Sequence, residues 1–147
     1  MHITEATHDD IPELAELLGI LFTQESDFNP DAARQREGLS RIIAAPVTGR
    51  VLVWREHGRA RGMVNLLFTI STALGANVAI LEDMIVHPDY RNKRIGSQLI
   101  TAAIDWCKTN GFHRISLLTD ATNDSAQRFY TRHGFRASEV IVMRLHL

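Results

Sequence analysis

The stretch AILEDMIVHPDYRNKRIGSQLI, residues 79–100, decides the fold. Its first eight residues are apolar apart from Glu82 and Asp83, the pattern of a largely buried strand. His87–Pro88 ends that strand, because proline lacks the N–H that a ladder needs. Arg91, Lys93 and Arg94 then crowd together ahead of Gly96. From Ile95 the chain turns apolar at helical spacing, with Ile95, Leu99, Ala103 and Trp106 on one face and Ile100 and Cys107 beside them. That helix should stop at KTNG (108–111), where Lys108 suits the negative end and Gly111 the left-handed cap. HRISLL (113–118) reads as the next strand. A strand–helix–strand crossover of this kind is right-handed and makes 79–86 and 113–118 parallel neighbours.

Upstream, GRVLVWREHG (49–58) and RGMVNLLFTIS (61–71) read as strands, with turns at His57–Gly58 and STALGAN. Such short connections make consecutive strands antiparallel. HITEA (2–6) reads as a short first strand. THDDIPELAELLGILF (7–22) reads as a helix, with Ile11, Leu14, Leu17, Leu18, Leu21 and Phe22 at steps of three and four. Asp9 or Asp10 can cap it, and Pro12 fits its first turn. After the acidic loop TQESDFNPD, Asn29 as cap and Pro30 as first helical residue open a second helix, from Asp31 to Ala45, that ends at Pro46.

Downstream, TDATND is a loop, and Asn123 or Asp124 opens a short helix, SAQRFYTRH, closed by Gly134. EVIVMRLHL (139–147) alternates and reads as a last strand, which either completes its own sheet or pairs across a homodimer. The expected fold class is α/β (α+β), a mixed, mostly antiparallel central sheet with helices on both faces, in a single domain over 1–147.

The 147 residues are 45 % hydrophobic and 22 % charged, an ordinary globular balance. A net charge of -1 argues against a general nucleic-acid binder, so any cationic site must be local. Cys107 is the one cysteine, which excludes an internal disulfide framework and fits a reducing, cytoplasmic compartment. The N-terminal residues lack the basic-then-apolar pattern of a signal peptide, and no uncharged apolar run is long enough for a membrane span. The seven histidines lack zinc spacing, so no metal site is expected.

A helix start leaves N–H groups unpaired and carries partial positive charge. A glycine there lets a ligand approach the backbone, and cationic side chains add charge-assisted bonds to phosphate oxygens. Residues 91–97 therefore describe either a diphosphate cradle or a solvated basic turn. They have neither the GxxxxGK[ST] spacing of a nucleotide-triphosphate loop nor the GxGxxG of a dinucleotide fold.

VHPDYRNKRIGSQLI (86–100), followed by NDSAQRFYTRHGF (123–135), resembles the two signatures of the GNAT superfamily of N-acetyltransferases, and the element order resembles that family over nearly the whole chain. The resemblance implies acetyl-CoA as cofactor. It implies that Met84, Ile85 and Val86 pair through their backbones with the pantetheine arm. Arg91, Asn92, Lys93, Arg94, Ile95, Gly96 and Ser97 would hold the pyrophosphate. Asn123 and Ser125 would contact the arm, and Tyr130 would lie at the thioester as the catalytic acid. Arg94 stands where the family's middle glycine usually lies, and it is expected to keep helical or near-helical dihedrals.

Acyl transfer to an amine needs a proton acceptor for the ammonium, a donor for the carbonyl oxygen and a proton for the leaving thiolate. The resemblance favours Glu82 as the base, acting directly, through water or by binding the ammonium, with Asp83 as the runner-up. A backbone N–H of 79–86 is the expected donor to the carbonyl oxygen. His133 and Cys107 read as surface and core respectively. Glu25, Asp27 and Asp31 in the acidic loop, together with Glu82 and Asp83, would draw a small, positively charged amine. LEDMIVHPDYR also resembles the corresponding part of diamine acetyltransferases. The rival functions are a protein or peptide N-acetyltransferase and a noncatalytic CoA-binding regulatory module.

Overall fold

The structure, a computed structural model, describes residues 2–25 and 29–147. The strands β1 (Ile3–Glu5), β2 (Gly49–Glu56), β3 (Arg59–Ser71), β4 (Ala76–Val86) and β5 (Ile115–Leu117) form one sheet in the order β1-β2-β3-β4-β5. The first four are antiparallel neighbours, and β4 and β5 are parallel. Four α-helices are described: α1 (Ile11–Gln24), α2 (Ala32–Ala44), α3 (Ile95–Thr109) and α4 (Asp124–Arg132). The mixed, mostly antiparallel sheet expected from the sequence is therefore present, with helices on both faces.

Alternation along the strands divides the core in two. Val51, Val53, Met63 and Ile85 point towards α1 and α2, where they meet Leu14, Leu17, Leu18 and Leu39. Leu52, Val64, Leu66 and Leu81 point the other way, onto Ile95, Leu99, Ile100, Ala103 and Cys107 of α3. Covering on both sides explains why β2, β3 and β4 read as nearly continuous apolar runs. Cys107 is a buried free thiol in this second layer. Trp106 stacks on Phe68 at 5.2 Å.

Local chemistry sets the helix ends, in places differently from the sequence reading. Asp10 closes a capping box around a short 3-10 turn (His8–Asp10) and takes a bidentate ion pair from Arg55 at 2.7 and 2.6 Å. It holds the N-cap position of α1 without a side-chain cap bond there, and its carboxylate ties α1 to β2 instead. Asp31, not Asn29, caps α2, accepting the Arg34 N–H at 3.1 Å, so Pro30 lies outside the helix. Asn123 caps α4 by accepting the Ala126 N–H at 3.1 Å.

The last strand is the main departure. Residues 136–147 belong to no strand, and all are exposed. Val140 is 83 %, Ile141 77 % and Met143 87 % exposed. Within it the Val140 N–H donates locally to Ser138 Oγ at 3.1 Å. Alternation marks a segment's readiness to pair, but a strand exists only once a neighbour supplies the other half of its ladder.

No helix among the described residues is long and apolar enough to cross a membrane. No cluster of three or more His, Cys, Asp or Glu among them could hold a metal ion.

Candidate active site

β4 and β5 part company in mid-strand. Their pairing runs only from Ala79↔Ile115 to Leu81↔Leu117. Beyond Leu81, β4 continues to Val86 with β3 on one side and, among the described residues, no partner strand on the other. The backbones of Met84, Ile85 and Val86 thus lie along a cleft edge, where an extended ligand arm can add hydrogen bonds as a strand would. The β3–β4 register also slips between Asn65 and Leu66, leaving Glu82 as the extra residue of a bulge.

The cleft runs into the basic loop. After a 3-10 turn (Pro88–Tyr90), Asn92 and Arg94 take φ values of 64° and 61° before α3 begins. The helical dihedrals expected for Arg94 are corrected here: its φ of 61° and ψ of 19° are left-handed. The residue type favours the right-handed region, but the turn into α3 demands the other and overrides it. Left-handed residues in such a loop turn successive N–H groups inwards, towards an anion. Arg94 offers α3 no side-chain cap, which leaves the first-turn N–H groups of Ile95, Gly96 and Ser97 for a ligand.

The cationic side chains of this loop are exposed. Arg91 Nε reaches the Val86 carbonyl at 3.3 Å, and Lys93 Nζ lies 4.8 Å from the centre of the Tyr90 ring. A Cβ on Gly96 would stand 3.4 Å from Met84 Cε and 3.5 Å from the Phe129 ring, ordinary van der Waals contact, so α3, β4 and α4 meet there without steric need of a glycine. Ser97 Oγ bonds His133 Nε2 at 3.1 Å, joining the start of α3 to the end of α4. His133 is accordingly half-buried rather than free surface.

Left-handed backbone at a non-glycine residue costs about 1 kcal/mol. Arg94→Gly is therefore expected to raise stability by up to about 1 kcal/mol in denaturant titration, since glycine's own entropy offsets part of the gain. The same variant removes a cation from the loop and should bind inorganic pyrophosphate more weakly, with a shallower dependence on salt.

Tyr130 is half-buried in α4, edge-on to Phe129 at 5.3 Å and to Phe135 at 5.7 Å. Burial first, then the charges of Glu25 and Asp83, push its phenol up to about 12. A carboxylate from the end of α1 and one from β4 thus both bear on the phenol of α4. Asn123 and Ser125 sit exposed at the start of α4, and Asn123 Oδ1 is already engaged in capping.

The two acids of β4 differ sharply. Glu82 is exposed at the bulge. Asp83 is buried enough to push its carboxyl up to about 6, an Asn65 hydrogen bond of 3.0 Å pulls the other way, and Glu82 adds to the rise. Asn65 is the functional candidate the sequence reading missed, and its signal was a lone amide within the apolar run of β3. Of the acidic loop, Glu25 bears on Tyr130 and Asp31 caps α2, while Asp27 lies outside the described residues.

An open strand edge, inward-turned amides and local positive charge fit the extended arm and diphosphate of coenzyme A. Comparison with known proteins agrees. The chain is 28 % identical over 138 residues to the uncharacterized N-acetyltransferase YhfO of Bacillus subtilis (strain 168), covering 92 % of this chain and 89 % of that protein. It is 26 % identical over 136 residues to the aminoalkylphosphonate N-acetyltransferase of Salmonella typhimurium (strain LT2), covering 92 % and 85 %. Its fold matches the aminoglycoside N-acetyltransferase AAC(6')-Iy, solved in complex with CoA, with a TM-score of 0.81 at 18 % identity over 98 % of this chain and 93 % of that one. The acetyltransferase (GNAT) family pattern matches residues 13–135, and the chain belongs to that family of acetyl-CoA-dependent N-acetyltransferases.

Proposed function

We propose that residues 1–147 act as one unit transferring an acetyl group from acetyl-CoA to the amino group of a small, positively charged acceptor. The observation that carries this reading is the open edge of β4 beyond Leu81, which bears Glu82 and Asp83 and runs into the basic loop at 91–97. Acetyl-CoA supplies an acyl group activated as a thioester. The backbones of Met84, Ile85 and Val86 hold its arm, and Arg91 through Ser97 hold its diphosphate. Asn123 and Ser125 line the arm's path.

Tyr130 keeps a proton at Oη through the neutral range. For the proton acceptor, the burial of Asp83 favours it over exposed Glu82, because burial pushes its carboxyl up to about 6, a value suited to a base working at neutral pH. Glu82, exposed beside it, adds negative potential at the mouth of the site. Two or three carboxylates around one cleft attract a cation.

Release of CoA, followed across an amine panel, tests the reading. Polyamines and cationic amino-acid derivatives should be turned over faster than neutral amines or an aminoalkylphosphonate, the acceptor named for the Salmonella relative. Equal or better turnover of the phosphonate would defeat the charge argument. No turnover of any amine, with CoA still bound, would favour the noncatalytic module.

The reading places the protein in the cytoplasm, where acetyl-CoA is made available and Cys107 stays reduced. It also makes it a homodimer in which the exposed segment 139–147 pairs with the free edge of β5 in a second copy. Light scattering should then give about twice 16.5 kDa. A monomeric mass at micromolar concentration contradicts this.

A further inference from the structure

Asn65 on β3 stands directly opposite Asp83 on β4. Both belong to the sheet face covered by α1 and α2, since Met63 and Ile85, two residues along each strand, pack there. Asn65 is only 3 % exposed. Its Nδ2–H donates to Asp83 Oδ2 at 3.0 Å, while its Oδ1 is buried with no partner among the described residues.

A buried carbonyl left unpaired is destabilising. The amide cannot turn over to relieve it, because Oδ1 would then face the carboxylate. For stability alone, an apolar side chain of the same size would serve better at this position. Next to this pair the ladder slips, and the bulge at Glu82 re-aims the β4 side chains where its edge opens. A polar pair that weakens the core, set at the mouth of the cleft, calls for a functional explanation.

We propose that Asn65 is a positioning residue for the acetyl transfer, fixing Oδ2 of Asp83 so that the second carboxylate oxygen, Oδ1, is presented to the acceptor amine. This rests on the acyl-transfer reading above and deepens it. The acceptor arrives as an ammonium. One N–H bond breaks and an O–H bond forms at Asp83 Oδ1. The electron pair left on nitrogen bonds to the acetyl carbon, and the carbon–sulfur bond breaks with its electron pair departing on sulfur. The second proton shed by the acylated nitrogen neutralises that thiolate to a thiol, while Asp83 returns its own proton to solvent. The groups bearing on Asp83 are Asn65 from β3 and Glu82 from its own strand, while Asp83 and Glu25 of the α1 end both act on Tyr130 from α4. Among the influences on Asp83, the Asn65 hydrogen bond is the one that favours its charged form.

The test is Asn65→Leu in the full chain, read by the pH profile of kcat/KM, melting temperature and CoA affinity. Losing the donor should move the acidic limb up by about one pH unit, which alone lowers kcat/KM at pH 7 about twofold. Loss of the fixed carboxylate orientation should bring the total fall to about tenfold, visible also on the high-pH plateau. Melting temperature should hold or rise at pH 4.5, where Asp83 is protonated and the unpaired Asn65 carbonyl is gone. It should compare less favourably with the wild type at pH 7.5, where the buried carboxylate has lost its donor, and CoA affinity should not change. A profile that superimposes on the wild type overturns the proposal. So does a fall in melting temperature and CoA affinity with the limb unmoved, which would make Asn65 merely structural. Asn65→Ser, which keeps a small donor, should bring the limb part-way back and serves if the leucine variant does not fold. A wild type that acetylates no amine overturns the acyl-transfer reading itself, whereas an active wild type with an unshifted variant overturns only the role of Asn65.

Discussion

Replacing Tyr130 with phenylalanine lowers kcat about a hundredfold while the protein stays folded. The expectation follows from what the substitution keeps and what it removes. The ring contacts with Phe129 and Phe135 are retained, so packing beside α4 survives. Only Oη–H is lost. Burial and the charges of Glu25 and Asp83 push that phenol up to about 12, so it holds its proton across the whole neutral range. A donor that stays protonated in a partly buried site is what stabilises negative charge developing during acyl transfer. The same elevation makes full proton release uphill relative to a thiol's ordinary value near 8.5, so the residue contributes chiefly as a hydrogen-bond donor. Steady-state assays with calorimetric melting check this. A variant with undiminished kcat would pass the donor role to another group.

Asp83→Asn should reduce kcat/KM by about a hundredfold or more at pH 7 and at the same time stabilise the protein. The carboxyl of Asp83 is raised from 3.8 to about 6, chiefly by burial. A folded-state pKa above the unfolded one means that Asp83 favours the fold below about pH 4, and that this contribution is lost as pH rises through 6. At neutral pH the ionised group works against the fold by up to about 3 kcal/mol. Asparagine removes that penalty and can still accept the Asn65 N–H. The gain in melting temperature should therefore be larger at pH 7.5 than at pH 4.5. A variant that loses activity without this pH-dependent gain would mean that Asp83 is less buried in solution than its place beside Asn65 implies.

The fold was legible in the sequence wherever burial imposed a period. The helix from Ile95 and the runs of β2, β3 and β4 followed from apolar spacing, and the parallel pairing of β4 with β5 followed from the handedness of crossovers. What spacing does not encode is which polar group inside an apolar run is engaged. Glu82 and Asp83 are adjacent acids, and family likeness favoured the first. The bulge, a product of pairing with β3, leaves Glu82 in solvent and turns Asp83 onto Asn65. The dihedrals of Arg94 depart from expectation because of its neighbours. Residue preference favours right-handed dihedrals, but the path from β4 into α3 fixes them. The segment 139–147 has the alternation of a strand but lacks the neighbour that would make it one, and alternation alone carries no information about a neighbour.

The thiol of Cys107 has a practical consequence. Burial against the second core layer pushes it up to about 11. At pH 7 only on the order of one molecule in ten thousand carries the reactive thiolate there. Maleimide dyes should pass the native protein by, so a cysteine introduced at Met143, which is 87 % exposed, becomes a single addressable label with no background mutation required. Energy transfer between separately labelled batches would then reveal, in solution and without a crystal, whether two chains bring their ends together.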